Sequence, residues 1–184
     1  MSKHTLITWV EDRPGVLNRV ASLFRRRGFN IDSIAVGHTE MEGVSRMTIV
    51  VDGTTLSVEQ VRKQLDKLIN VIKVTDITDD DLVARELVLI KVKATASTRS
   101  EIIQIADLFR AKIVDVAADS VIVEITGDED KLESLLNLLR DFGIKEICRT
   151  GRIAMARGAA GTIFEAEKPL SKGARPKKSE VTNW

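Results

Sequence analysis

The sequence predicts an α+β protein made of two tandem ferredoxin-like βαββαβ domains, followed by a C-terminal tail. Apolar residues recur along the chain with a period of two in some segments and of three to four in others, as in alternating strands and helices. The order of segments begins again after the acidic stretch at residues 79–81, and ASLFR at 21–25 is echoed by ADLFR at 106–110. From Ala159 onward this periodicity is absent.

The first domain is predicted to occupy residues 1–80. It opens with an apolar, β-prone strand at 5–10, and the turn at 11–15 leads into an amphipathic helix that ends at Gly28 after three arginines. The remaining segments are strands at 29–36 and 44–51, a helix with apolar residues at 58, 61, 65 and 68, and a strand at 71–77.

The second domain is predicted to occupy residues 81–158 and to repeat the same order. Its segments are a strand at 86–94, a helix around 102–109, paired strands at 112–117 and 121–126, a helix at 132–139 and a strand at 144–148. We expect residues 159–184 to be a flexible tail, because they combine small residues, two prolines and a pair of lysines. The basic surplus of this tail fits either a solubilising end or a contact with an acidic partner surface.

Composition excludes several classes of function. The 184 residues hold 28 Lys and Arg against 27 Asp and Glu, which is no surplus for binding nucleic acid or an anionic membrane. Aromatic residues make up 4% of the chain and tyrosine is absent, so base-stacking platforms are disfavoured. A single cysteine excludes a disulfide scaffold, and no apolar run approaches the ~20 residues that span a bilayer. The start of the chain resembles no signal or transit peptide, and we expect a cytoplasmic protein.

No set of residues predicts an active site or a metal centre. Nucleotide-binding, nucleophile-elbow and zinc-protease motifs are absent from the sequence. Cys148 is expected to be a small buried residue of an apolar strand. His4 and His38 are expected at the surface, without the nucleophile or carboxylate that a catalytic base would need.

One turn has the chemistry of a binding site. In DRPG at 12–15, Asp12 is predicted to cap the following helix, Pro14 suits a helix start, and Gly15 allows a ligand to approach the backbone. The helix N–H groups would receive a ligand carboxylate, and Asp12 would receive its ammonium group. Asn30 could donate and accept hydrogen bonds, and the apolar wall would come from Val16, Leu17, Ile31 and Ile34. This set fits a free amino acid with an aliphatic side chain, although an ordinary capped turn explains DRPG equally well.

Longer stretches of the sequence resemble a known family. The strings VEDRPGVL (10–17), LFRRRGFNIDSIAV (23–36) and VSRMTIV (44–50) resemble the N-terminal ACT domain of acetolactate synthase (acetohydroxyacid synthase) small regulatory subunits. The similarity continues through RELVLIKV (85–92), LFRAKIVDV (108–116) and RTGRIAMARG (149–158). RRGFNI and SRMTI are specific to this family, whereas DRPGVL marks ACT domains in general.

The resemblance implies a regulatory protein of branched-chain amino-acid biosynthesis, without catalytic residues or cofactors of its own. Family members activate a large catalytic subunit that carries thiamine diphosphate, magnesium and FAD, and they confer feedback inhibition by valine, sometimes by leucine or isoleucine. Two ACT domains pair edge to edge as a homodimer, with the effector at their interface. By motif position, the effector-site residues are Asp12, Pro14, Gly15, Val16, Leu17, Asn30 and Ile31.

Asp12, the loop at 95–100 and Arg46 bear on how far the resemblance extends. Some members have Asn at the position of Asp12, where a carboxylate strengthens the ammonium contact and repels the ligand carboxylate, so the preferred branched-chain amino acid is open. TASTRS at 95–100 lacks the Pro-Gly pair, so one effector-type loop per chain is expected. Arg46, in an otherwise apolar strand, fits a solvent-facing charge, an interface or a support of the fold. The alternatives are an ACT-type sensor for another enzyme or a transcription factor and, more remotely, a ferredoxin-like enzyme or RNA binder.

Overall fold

The structure is a computed structural model that describes residues 2–158. Its helices and strands follow the predicted order, with one additional strand near the end. In chain order they are β1 (Ser2–Glu11), α1 (Val16–Arg27), β2 (Ile31–His38), β3 (Val44–Gly53), α2 (Thr55–Asp66), β4 (Val71–Asp76), β5 (Leu82–Lys93), α3 (Arg99–Leu108), β6 (Lys112–Val116), β7 (Ser120–Gly127), α4 (Glu129–Arg140), β8 (Ile144–Arg149) and β9 (Ile153–Ala156).

Two antiparallel sheets confirm the predicted pair of βαββαβ folds. The first sheet has the strand order β2-β3-β1-β4 and the second has the order β6-β7-β5-β8. The two orders are equivalent, because in each sheet the first and third strands of the repeat lie in the middle and the second and fourth lie outside. The short strand β9, which the sequence analysis missed, pairs with β5.

Each fold has its own hydrophobic core between its helices and its sheet. In the first core Leu6, Phe24, Ile49 and Leu65 are at most 1% exposed. In the second core Ile90, Ile102, Ile125 and Leu135 are at most 2% exposed. Burial of one side chain of this size contributes roughly 1.5–3 kcal/mol to folding, so each core stabilises the packing of its own helices on its sheet.

The alignment of the two repeats differs from the one that the sequence suggests. Gly28 and Arg110 both end a helix in the left-handed conformation, with φ of 70° and 53°. The next amides, of Phe29 and Ala111, reach back to the carbonyl oxygens of Phe24 and Ala106. The structure therefore places Phe24 opposite Ala106, whereas the ASLFR and ADLFR strings would place it opposite Phe109. The two similar strings are therefore not at equivalent positions of the two folds, and they differ by almost one helical turn.

The described residues divide into two compact units, one of residues 2–83 with 154–158 and one of residues 84–153. The sequence predicts a division between residues 80 and 81 and places 154–158 in the second domain. These residues group with the first unit because Arg157 N–H donates to the Asp81 carbonyl at 2.8 Å and Arg46 Nη2 donates to the Ala154 carbonyl at 2.5 Å. The predicted tail at 159–184 lies outside the described residues.

Two expectations about single residues are wrong. Cys148 is exposed, because it lies on the outer strand β8 of the second sheet. His4 is buried, because its strand β1 lies inside the first sheet, and its Nδ1 lies 3.4 Å from an Asp76 carboxylate oxygen. Within residues 2–158 no helix has both the length and the apolar content to cross a lipid bilayer.

Thr8 provides a test of the first core. Its side chain is 0% exposed, and its hydroxyl has no hydrogen-bond partner among the described residues. A buried hydroxyl without a partner costs about 1–3 kcal/mol. We expect Thr8→Val, which keeps the shape and removes the hydroxyl, to raise the free energy of unfolding by about 1 kcal/mol in chemical denaturation.

Thr78→Val is the matched control for Thr8→Val. The Thr78 hydroxyl accepts a hydrogen bond from the Thr5 N–H at 2.9 Å and donates to Asp76 Oδ1 at 2.5 Å. The same chemical change should therefore lower stability here by about 1 kcal/mol. If both variants lost stability equally, the Thr8 hydroxyl would have a partner in solution and the interpretation of this core would be wrong.

Candidate functional site

The loop between β1 and α1 has the backbone that a ligand site requires. Gly15 precedes the helix in the left-handed conformation, with φ of 85°, and a Cβ placed there would meet no atom within 4 Å. The predicted cap by Asp12 is wrong, because Gly15 occupies the N-cap position and no side chain caps this helix. Asp12 lies three residues before the cap, too early to reach the first-turn N–H groups as a cap does.

The first turn of α1 leaves two donors available. Val16 N–H bonds to the Arg13 carbonyl at 3.4 Å, and Arg19 N–H bonds to the Gly15 carbonyl at 3.1 Å. Among the described residues, no hydrogen bond is made by the N–H groups of Leu17 and Asn18. The first turn also contains no acidic residue that would occupy the positive end of the helix. These two N–H groups can therefore receive a ligand carboxylate.

Asp12 faces the end of the neighbouring hairpin. Its N–H donates to the Gly43 carbonyl at 2.8 Å, which holds the loop against the β2–β3 turn. Its carboxylate Oδ2 lies 3.3 Å from Nδ1 of His38, the last residue of β2. His38 is 85% exposed, as a surface residue was expected to be. Its place beside Asp12 was missed, since no sequence pattern relates residues 12 and 38.

The predicted apolar wall is only partly available to a ligand. The Val16 side chain is 4% exposed and belongs to the core, so this residue contributes its backbone to the loop. Leu17 is 46% exposed beside the free donors and can contact an aliphatic group. Pro14 is exposed in the loop, and Ile31 and Ile34 are partly buried against the first core.

A single chain does not bring all the predicted residues together. Glu11, at the end of β1, pairs with Val44, whereas Ile31, at the start of β2, pairs with Val51 at the other end of β3. Seven residues of strand separate the two positions, or about 23 Å. Asp12 to Leu17 thus lie at one end of the sheet, and Asn30 and Ile31 lie at the other.

The equivalent loop in the second unit is filled by its own side chains. When Gly28 is aligned with Arg110, Ser97 stands at the position of Gly15. The Thr95 hydroxyl lies 2.9 Å from the Ser97 hydroxyl and 3.1 Å from the Thr98 hydroxyl. Arg99 Nη2 also donates to two nearby backbone carbonyls, those of Ala117 and Ala118. The polar groups of this loop therefore bond to one another, which leaves less for a ligand than the Gly15 loop offers.

We also searched the rest of the described residues for metal-binding clusters and cavities. No group of three or more His, Cys, Asp or Glu side chains in residues 2–158 lies close enough to hold a metal ion. An open depression of about 320 Å³ lies on the helix side of the first unit, away from the Gly15 loop, and is lined by Leu23, Arg26, Arg27, Gln64, Lys67 and Leu68.

Arg46 supports the first unit. Its guanidinium lies 5.4 Å from the centre of the Trp9 ring, and it donates to the Ala154 carbonyl as described above. Burial lowers the pKa of Arg46, with a smaller opposing effect from Glu40. Of the three roles considered from sequence, support of the fold is the one for which the structure supplies contacts.

Comparison with known proteins extends these observations to the whole described chain. Residues 6–73 match the family model of the AHAS (acetohydroxyacid synthase) small subunit-like ACT domain. Residues 85–158 match the family model of the small subunit of acetolactate synthase. A probable acetolactate synthase small subunit from Archaeoglobus fulgidus is 58% identical over 156 residues, which cover 85% of this chain and 98% of that protein.

A second relative agrees in sequence, and a solved structure agrees in both sequence and fold. The acetolactate synthase small subunit of Mycolicibacterium smegmatis is 55% identical over 158 residues, which cover 86% of this chain and 93% of that protein. The crystal structure of the acetolactate synthase small subunit from Thermotoga maritima superimposes with a TM-score of 0.78 at 43% identity, covering 86% of this chain and 99% of that one.

Proposed function

The chain belongs to the family of acetolactate synthase small subunits, and on that premise we propose that it is the regulatory subunit of this enzyme. In this proposal it binds a large catalytic subunit in the cytoplasm, raises its activity and confers feedback inhibition by valine. Thiamine diphosphate, magnesium and FAD would belong to the large subunit, where the reaction takes place.

The observation that carries the proposal is the left-handed Gly15 loop with the two free N–H groups that follow it. A valine carboxylate would accept hydrogen bonds from Leu17 and Asn18 at the positive end of α1. Its ammonium would take the place of the His38 ring beside Asp12, and its isopropyl group would contact Leu17. A single zwitterionic amino acid would thus contact the two free N–H groups, the Asp12 carboxylate and the Leu17 side chain.

A two-fold homodimer would complete this site. β2 is an outer strand of the first sheet, and its end at His38 lies at the Asp12 end of the sheet. If β2 pairs antiparallel with β2 of a second copy, the start of one strand lies beside the end of the other. Asn30 and Ile31 of one protomer would then approach the Asp12–Leu17 loop of its partner. This arrangement joins the two groups of residues that are about 23 Å apart in one chain.

Regulation would follow from linkage between effector binding and the arrangement of the dimer. A ligand held between two protomers stabilises the arrangement in which both contact it. Activity changes only if the catalytic subunit prefers a different arrangement, and the two preferences are then coupled reciprocally. The catalytic subunit should therefore weaken valine binding when it holds the dimer in its active arrangement.

Reconstitution with an acetolactate synthase large subunit tests the proposal. We expect the small subunit to raise the rate of acetolactate formation, and valine to reverse much of that gain. The measurement is the initial rate over a valine titration, with the large subunit alone as the control. Absence of both a complex and a gain in rate would contradict the proposal. An ACT-type sensor for another enzyme or a transcription factor would give that result, although such a sensor would not need the match at residues 85–158.

A further inference from the structure

Asn70, which is remote in sequence, forms a polar bridge between the two ends of the Gly15 loop, called the effector loop below. Asn70 lies in the turn between α2 and β4. Its side-chain Nδ2 donates to Glu11 Oε2 at 2.7 Å, and its Oδ1 accepts from Arg19 Nη1 at 2.6 Å. The Glu11 N–H also donates to the Asn70 carbonyl at 2.9 Å. Glu11 ends β1 immediately before the loop, and Arg19 lies in α1 just after the free donors.

The bridge uses both functional ends of one amide. Asn70 donates to a carboxylate on one side and accepts from a guanidinium on the other, so each hydrogen bond involves a charged group and is stronger than a neutral one. Arg19 is further tied to the loop because its N–H donates to the Gly15 carbonyl. Glu11 also lies near Arg13, with 3.6 Å between Oε2 and Nε. The loop at 12–15 is therefore held between two residues that share Asn70.

We propose that Asn70 is a positioning residue of the effector loop, an inference that rests on the proposed function for the identity of the ligand. It does not reach the free N–H groups itself and acts through Glu11 and Arg19. By fixing the two ends of the loop, it presents the Leu17 and Asn18 donors in one geometry before the ligand arrives. Less order is then lost on binding, and the affinity is correspondingly higher.

Three variants of the full chain separate the two hydrogen bonds. Asn70→Leu keeps the approximate shape and removes both of them. Asn70→Asp can still accept from Arg19, but it places a second carboxylate against Glu11. In the double variant Glu11→Gln with Asn70→Asp, the glutamine amide can donate to the new carboxylate, which restores the bridge with the direction of that hydrogen bond reversed.

We expect Asn70→Leu to weaken valine binding about tenfold in titration calorimetry, Asn70→Asp to be intermediate, and the double variant to return within about threefold of the wild-type affinity. Activation of the large subunit without valine should be unchanged in all three. If Asn70 had only a structural role, the variants would lose thermal stability without a graded loss and recovery of valine affinity. Restored affinity in the double variant is the readout that identifies positioning.

Hydrogen exchange of the Asp12, Arg13 and Val16 amides, which donate hydrogen bonds in the loop, tests the same inference without any ligand. Exchange should be faster in Asn70→Leu than in the wild type and should return toward the wild-type rate in the double variant. Equal exchange and equal valine affinity in Asn70→Leu and the wild type would overturn the inference. If wild-type protein did not bind valine at all, the proposed function would fail, and the exchange rates would still decide whether Asn70 holds the loop.

Discussion

Gly15→Asp should strongly weaken the response to valine while the protein still activates the large subunit. The new carboxylate would stand at the start of α1, beside the two N–H groups that we assign to the ligand carboxylate. Repulsion between the two carboxylates at an exposed site amounts to about 2 kcal/mol, or roughly a thirtyfold loss of affinity. The valine concentration that gives half-maximal inhibition of the reconstituted enzyme measures the effect.

Gly15→Asn separates charge from backbone strain. Asn and Asp tolerate the left-handed conformation to a similar degree, and the space around the added Cβ is open in both cases. The asparagine variant should therefore retain a measurable response to valine, at a several-fold higher concentration. If Gly15→Asp stayed as sensitive to valine as the wild type, the assignment of the ligand to this loop would be wrong.

Leu23→Ala should strongly destabilise the first unit, whereas Leu108→Ala should have almost no effect. The two leucines stand at the same place in the ASLFR and ADLFR strings, yet Leu23 is 5% exposed and Leu108 is 76% exposed. Loss of a buried leucine side chain costs about 2–5 kcal/mol, and loss of an exposed one stays within about 0.5 kcal/mol. Chemical denaturation followed by circular dichroism gives both values.

This pair of variants also tests the alignment of the repeats. In the alignment that places Gly28 opposite Arg110, the counterpart of Leu23 is Ile105, which is packed against the second core. If the sequence echo were the structural equivalence, Leu108→Ala would cost as much as Leu23→Ala. Equal losses would therefore contradict the fold of the second unit as described.

Periodicity predicted the order of the helices and strands well, because each element buries one face against a core. Val20 and Ile102, for example, are both fully buried at equivalent positions of the two structural repeats. The strand β9 could not be predicted in this way, because only Ala154 is buried among its four residues. The environment of His4 was also missed, since burial of a polar residue depends on a partner, here Asp76, that is remote in sequence.

The candidate site was predictable only as a set of residue types. Gly15 was predicted because a glycine before a helix lets a ligand approach the backbone, and the structure shows that its backbone is left-handed. Asn70 and His38 were missed, because their roles depend on contacts with Glu11, Arg19 and Asp12 across the sheet. The separation of Asn30 from Asp12 was also hidden, since it follows from strand direction and not from distance along the chain.

In the proposed dimer, each effector site combines the Gly15 loop of one protomer with the start of β2 of its partner. Mixing two variants that each bind valine poorly tests this arrangement directly. Dimers of Gly15→Asp alone and of Asn30→Ala alone should bind valine poorly, because both of their sites are damaged. In a mixed dimer one site carries both changes and the other carries neither.

Valine binding to the mixed dimer, measured by titration calorimetry after exchange of protomers, is the decisive measurement. We expect one site per mixed dimer with wild-type affinity. If mixing restored no binding although mixed dimers had formed, each site would lie within a single chain, and the claim would be contradicted.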